Sequence, residues 1–214
     1  MRLGVIRVIT TEDPHVLNSH GEILAHELGI EVISRCLPNQ PEGVYDGPTF
    51  DAAAEKTVTL AHQMAKHDSV DALLVSCAAD PGVPEAAQSL HIPVIGAGSA
   101  AAWRAAALGQ QVGVLDLTPQ TPHAVTAVLA NRYMGARVPA KVSRSADLQH
   151  PKSAENAVAA AHELLDGGAD VIMFACTGMT TINLATSLEA RLAVPIVDAV
   201  RAGGQAALAA GGSP

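Results

Sequence analysis

The sequence predicts an α/β protein of two pseudo-symmetric lobes, each a four-stranded parallel sheet flanked by helices, with an active site in the cleft between them. Three observations carry this. Apolar runs alternate with helix-like stretches along the whole chain, as strands joined by crossover helices do. The segment VDALLVSCAADPGVPEAAQSLHIPVIGAGSAAA (Val70 to Ala102) recurs in plan as ADVIMFACTGMTTINLATSLEARLAVPIVDAVRAG (Ala169 to Gly203). In each copy an Asp precedes an apolar run, the run ends at a Cys, and small residues, a helix-like stretch and a Pro-opened apolar run follow.

Taken in order, Leu3 to Ile9 reads as the first strand. Thr11 or Asp13 caps the next helix, with Pro14 in its first turn and Gly29 past its end. Gly29 to Leu37 is the second strand, and Pro38 to Thr49 is a Pro- and Gly-rich loop able to act as a lid. A helix follows from about Phe50 to His67, then the strand Asp71 to Cys77, a short helix from Val83 to Leu90, and the strand Ile92 to Gly98. The plan then repeats. Ser99 to Leu108 is helical, Gln111 to Leu117 matches the first strand, and Thr118 or Thr121 caps a helix with Pro119 or Pro122 at its first position. Gly135 to Ser143 matches the second strand weakly, Ser143 to Ser153 is a loop, and Ala154 to Leu165 is a helix. Asp170 to Cys176, a further helix and Val194 to Val200 close the series. The lobes are expected at residues 1–98 and 99–198, with about 199–214 packing back onto the first and Leu208 to Pro214 frayed.

Composition narrows the function. The 214 residues suffice for two small lobes with their own cores, and 49% are apolar. A formal charge of −8 and only five aromatic residues argue against nucleic acid or an anionic membrane as partner. No apolar run reaches the roughly 18 residues that cross a bilayer. The start MRLGVIRVIT lacks a basic n-region and cleavage site, and three Cys suit a reducing compartment, so a cytoplasmic location is expected. No G-x-G-x-x-G follows the first strand, and no P-loop, H-E-x-x-H or C-x-x-C occurs, so neither cofactor nor metal is implied. The nine His lack ligand spacing and read as solvated.

Ligands of open α/β sheets bind beyond the carboxyl ends of the strands, where Cys77 and Cys176 both fall. A Cys between a strand and a helix is expected to meet the positive helix end, which lowers its pKa. Ala78 and Ala79 after Cys77, and Thr177 and Gly178 after Cys176, leave backbone N–H groups to hold a carboxylate or enolate oxygen. A thiolate and a thiol on opposite walls of a cleft make a base and an acid, able to take a proton from one face of a carbon and return it to the other. Arg7 suggests a carboxylate partner, and Thr10 and Thr118 suggest hydroxyl donors beside their capping roles. Asp80 reads as a turn residue, Asp198 as a cap or a partner of Cys176, and Cys36 as a core residue.

At these residues the chain resembles the aspartate/glutamate/hydantoin racemase superfamily. Ser76-Cys77-Ala78-Ala79-Asp80-Pro81-Gly82 is similar to the first-Cys motif of hydantoin racemases, and Ala175-Cys176-Thr177-Gly178-Met179 to their second. Val194 to Val200 resembles the family's Pro-Val-Ile-Asp segment. Two departures stand out: Arg7 to Thr11 replaces the usual Asn-Pro-Asn, and Ala78-Ala79 replaces the Asn-Thr of glutamate and aspartate racemases.

The resemblance implies cofactor-independent two-base racemisation or epimerisation by Cys77 and Cys176, acting on an amino acid or a hydantoin-type substrate with a carboxylate or cyclic ureide. It also implies, with the Ala-rich helices, a homo-oligomer. The alternatives are a cis–trans isomerase of maleate type with a nucleophilic Cys, and a small-molecule binding protein without catalysis.

Overall fold

Each half of the chain builds one four-stranded parallel sheet, in a computed structural model that describes residues 1–212. The first sheet has the order β2-β1-β3-β4, formed by β1 (Arg2–Arg7), β2 (Glu31–Cys36), β3 (Ala72–Ser76) and β4 (Val94–Gly96). The second repeats it as β6-β5-β7-β8, from β5 (Val112–Leu115), β6 (Tyr133–Arg137), β7 (Val171–Phe174) and β8 (Ile196–Val197). The helices are α1 (Pro14–Leu28), α2 (Gly47–His67), α3 (Val83–Ser89), α4 (Ala97–Leu108), α5 (His123–Leu129), α6 (Ser153–Asp166), α7 (Gly178–Thr181), α8 (Leu184–Glu189) and α9 (Ala199–Gly211). The expected α/β class and the two parallel sheets flanked by helices are thus present. No helix among the described residues is long and apolar enough to cross a membrane. One compact unit comprises Met1–Ala97 with the chain from Gly203 onward, and the other Gly98–Ala202.

The central strands β1, β3, β5 and β7 are mostly apolar and buried because both faces of each sheet are covered there, whereas the edge strands β2 and β6 carry charged residues and are partly exposed. In the first unit Ile6, Leu73 and Val75 pack with Leu60, Ala61 and Met64 of α2. In the second, Leu115, Ile172 and Phe174 pack with Ala157, Ala161 and Leu164 of α6 and with Leu184 and Leu188 of α8. The segment Gly203 to Gly211 belongs to the first core: Gly203 lies against Leu74, Gly204 against Leu24, and Gly211 against Met1 and Ala72.

Local chemistry sets the element ends, and several depart from the sequence reading. Asp13 caps α1 through the His15 N–H, and Gly29 closes the helix at φ 65°. Helix α2 begins at Gly47 rather than Phe50, because Asp46 and Thr49 form a capping box that the Pro-rich stretch disguises. Neither Thr118 nor Thr121 caps α5: Pro122 stands at the N-cap without a side-chain bond. Strand β6 is displaced toward the amino end, since Pro139 cannot continue the ladder. The stretch read as one loop from Ser143 holds a 3-10 turn at Ser145–Gln149. Leu208 to Gly211, read as frayed, continues α9; the rest of that stretch, Ser213 and Pro214, lies outside the described residues.

Gly82 precedes α3 at φ 73°, and a Cβ there would stand 2.5 Å from the Ala54 carbonyl oxygen of α2. Gly82→Ala is therefore expected to destabilise the protein by at least about 2 kcal/mol, from left-handed strain and a backbone clash together. Urea unfolding with an unchanged midpoint would refute this.

Candidate active site

Cys77 follows β3 directly, and its turn is built from inside the first unit. Ser76, the last residue of β3, is buried, and its Oγ lies 2.8 Å from Nδ1 of His20 on α1. His20 has no solvent exposure, which corrects the reading of the histidines as solvated. Cys77 donates its N–H to the Val75 carbonyl and accepts from the Asp80 N–H, closing a tight turn in which Asp80 takes φ 53°. The Asp80 carboxyl packs so closely on Gly96 that a Cβ there would fall 2.2 Å from it. Cys77 itself is half-buried, Ala78 is buried and Ala79 is half-buried.

Cys176 stands at the equivalent place, beyond β7, in a different setting. It is buried, its Sγ receives the Gly178 N–H at 3.3 Å, and Ser145 Oγ lies 3.9 Å away. The 3-10 turn thus lies over the sulfur, and its Leu148 packs on Gly178. The segment that follows Cys176 is anchored at Thr180 by Asp198, which accepts from the Thr180 hydroxyl and from the N–H groups of Val200 and Arg201 in α9. The Arg201 guanidinium closes on its second oxygen at 3.1 Å. Of the two roles open to Asp198, it caps a helix, and through Thr180 it also holds the Cys176 turn.

The helix-dipole expectation is not met. Five residues separate Cys77 from α3, and α7 after Cys176 is a single turn. Burial dominates instead and pushes the Cys176 thiol up to about 11; the Gly178 N–H opposes this, and the charge of Asp116 adds to it.

Asp116 is the residue that motif reading missed. It is 3% exposed, one position past β5. Oδ1 accepts the Leu117 N–H at 2.7 Å and the Thr118 N–H at 3.4 Å, while Oδ2 is buried with no hydrogen-bond partner. Burial raises its pKa to about 6, against the pull of Leu117, Thr118 and Thr121. A positional signal for it existed. Ile6 pairs with Val75 and Leu115 with Phe174, so Asp116 is the counterpart of Arg7.

The other anticipated residues divide as follows. Arg7 is buried and directs one guanidinium nitrogen to the carbonyls of Val16 and Leu17 and to Ser19 Oγ, all on α1; burial lowers its pKa to about 10. The Thr10 hydroxyl donates to the Leu37 carbonyl and accepts the Gln40 N–H, both at 2.6 Å, tying two loops together. The loop Pro38 to Thr49 is braced further by Gln40, which bonds the carbonyls of Gly43 and Thr49. The Thr118 hydroxyl donates to the Gln120 carbonyl within its own turn. Thr177 and Gly178 are half-buried beside Cys176. Cys36 directs its thiol to the Thr11 carbonyl at 3.6 Å. Among the described residues no group of three or more His, Cys, Asp or Glu could hold a metal ion.

Comparison with known proteins finds racemases and, among solved structures, an arylmalonate decarboxylase as well. The family model described as Asp/Glu/Hydantoin racemase matches residues 22–207. A hydantoin racemase of Rhizobium meliloti is 25% identical over 178 residues, covering 79% of this chain and 72% of that protein. Among solved structures, the allantoin racemase of Klebsiella pneumoniae superposes with a TM-score of 0.85 at 21% identity, covering 99% of this chain and 88% of its own. The glutamate racemase of Aquifex pyrophilus superposes with a TM-score of 0.60 at 15% identity, covering 96% and 82%.

Two measurements test the electrostatics. Asp116 has a folded pKa above its unfolded value, so protonation favours the folded state. Its stabilising contribution is present below about pH 4 and is lost as pH rises through about 6. Asp116→Asn is expected to gain on the parent protein across that window by up to about 3 kcal/mol; parallel stability curves from pH 4 to 8 would refute it. With its thiol near 11, Cys176 is expected to react with iodoacetamide at pH 8 about a hundredfold more slowly than an ordinary peptide thiol. Labelling read by peptide mass spectrometry at the ordinary rate would contradict that.

Proposed function

This chain belongs to the Asp/Glu/hydantoin racemase family, and from that premise we propose that it inverts a carbon stereocentre next to a carbonyl by two-base proton transfer between Cys77 and Cys176. The observation that carries the reading is the repeat itself: two thiols at equivalent strand ends, each in a turn of small residues, on a backbone plan that the chain repeats. One Cys as thiolate takes the proton and becomes a thiol. The electron pair passes onto the neighbouring carbonyl oxygen as an enolate, and the other thiol delivers its proton to the opposite face of the carbon. The two cysteines have then exchanged protonation states, and the reverse reaction resets them.

The asymmetry of the two turns supports an assignment. Burial and the charge of Asp116 keep Cys176 protonated at neutral pH, which suits it to deliver the proton first. In that direction Cys77, half-buried, is the base. Backbone N–H groups in the turns of Ala78, Ala79 and Thr177 are the proposed donors to the enolate oxygen. Arg7 acts by holding α1 against the end of β1, and Thr10 by tying together the loops that carry Leu37 and Gln40. A 5-substituted hydantoin is the first substrate to test, because relatives detected by sequence bear the name hydantoin racemase.

The experiment is proton NMR in D2O over 5-substituted hydantoins and L- and D-amino acids, with optical rotation in parallel. Loss of the signal at the stereocentre together with decay of rotation is expected, and Cys77→Ser and Cys176→Ser should each slow it by at least about a hundredfold. A variant that keeps most of the exchange, or a panel without exchange, sinks the proposal. A stable mass adduct on one Cys with an unsaturated dicarboxylate would favour the cis–trans isomerase instead.

A further inference from the structure

Among the described residues, the buried side-chain atoms without a hydrogen-bond partner are Thr57 Oγ1, Asp68 Oδ2, Asp116 Oδ2 and Arg132 Nε, and the other buried charges are well supplied. Asp198 has both carboxylate oxygens filled, and the Arg7 guanidinium is held by α1. Asp116 is the exception that bears on a reactive group. Its Oδ1 accepts the N–H groups of its own turn, the Thr121 side chain stands near the carboxylate and pulls its pKa down, Oδ2 is buried with no hydrogen-bond partner, and its charge raises the pKa of the Cys176 thiol. The backbone explains the nearness. Asp116 follows Leu115, which pairs with Phe174, and the Ala175 N–H binds the Leu115 carbonyl at 2.8 Å, so both residues leave neighbouring strands at the same edge. A buried acceptor left without a donor costs free energy, more so when it is charged, and such an atom beside a reactive thiol is a place for a ligand to supply the donor.

We propose that Asp116 is a substrate-recognition residue whose open oxygen accepts an N–H from the ligand beside Cys176, so that the site takes an N–H-bearing compound and rejects a purely anionic dicarboxylate. The N–H can come from a cyclic ureide ring or from the ammonium group of a free amino acid. In either case it lies next to the carbon whose proton is exchanged, so the bond orients that carbon relative to the Cys176 thiol. A second carboxylate there would be repelled by the buried charge. The inference rests on the racemase reading for the choice of ligands, but its test reads binding alone.

The test is calorimetric titration of the parent protein and Asp116→Asn with matched ligand pairs. One pair is a 5-substituted hydantoin and the oxazolidine-2,4-dione in which oxygen replaces the N–H next to the stereocentre. The other is a free α-amino acid and its des-amino acid. The parent protein is expected to prefer the N–H member of one pair by about tenfold or more, and the pair that shows it identifies ring N–H or ammonium as the donor. In Asp116→Asn, whose amide keeps the Oδ1 bonds but presents N–H in place of the open acceptor, the preference should fall within about threefold. Equal affinities in the parent protein, no binding by any N–H compound, or a preference that survives in Asp116→Asn would each overturn the inference. An N–H preference without proton exchange would sink the racemase reading and leave this one standing; exchange without the preference would do the reverse.

Discussion

Strand register is the constraint on which the rest of this structure depends, and two aspartates set it. The Asp71 N–H binds the Arg2 carbonyl while its carboxylate accepts the Arg2 N–H, pinning the start of β3 to the start of β1. Asp170 does the same in the second unit, donating its N–H to the Gln111 carbonyl and accepting the N–H groups of Gln110 and Gln111. These bonds lie at the amino ends, yet they decide what emerges at the carboxyl ends. A slip of one residue would turn every side chain of β3 or β7 to the other face. Cys77 and Cys176 would then leave their turns for the interior of the sheet.

On that common backbone the two units place different chemistry. The position after Ile6 is Arg7, and the matching position after Leu115 is Asp116. The residue before Cys77 is Ser76, bonded to His20, whereas the residue before Cys176 is Ala175. One turn therefore sits behind a polar, fully buried Ser–His contact, and the other beside a buried carboxylate. Duplication supplied the pair of thiols, and divergence of their neighbours gave them unlike environments. A reaction that needs a base and an acid at the same instant benefits from such inequality.

Position within the turn matters as much as the sulfur. Thr180, Asp198 and Arg201 form a chain of contacts that fastens the Cys176 turn to α9. Asp80, at positive φ against Gly96, sets the path of the Cys77 turn. Each thiol is thus held by groups on a following element rather than by its own neighbours alone, as a site on rigid scaffolding requires.

The class of fold, the duplication and the places of the two cysteines are legible in the sequence alone. Those features rest on local patterns: apolar runs of strand length, Asp at their starts, and Gly and Pro between them. The sequence also offered the capping role of Asp198 and a true cap in Asp13. It did not disclose that His20 is buried against Ser76, that the turn at Ser145–Gln149 lies over Cys176, or that Asp116 is buried with one oxygen unpartnered and its charge felt at that thiol. Such facts join residues 30 to 60 positions apart, and a lone His or Asp looks the same in sequence whether solvated or enclosed. The sign of the Cys176 shift went the same way. A helix start can be read from sequence, but the desolvation that outweighs it exists only once the chain has packed around the sulfur.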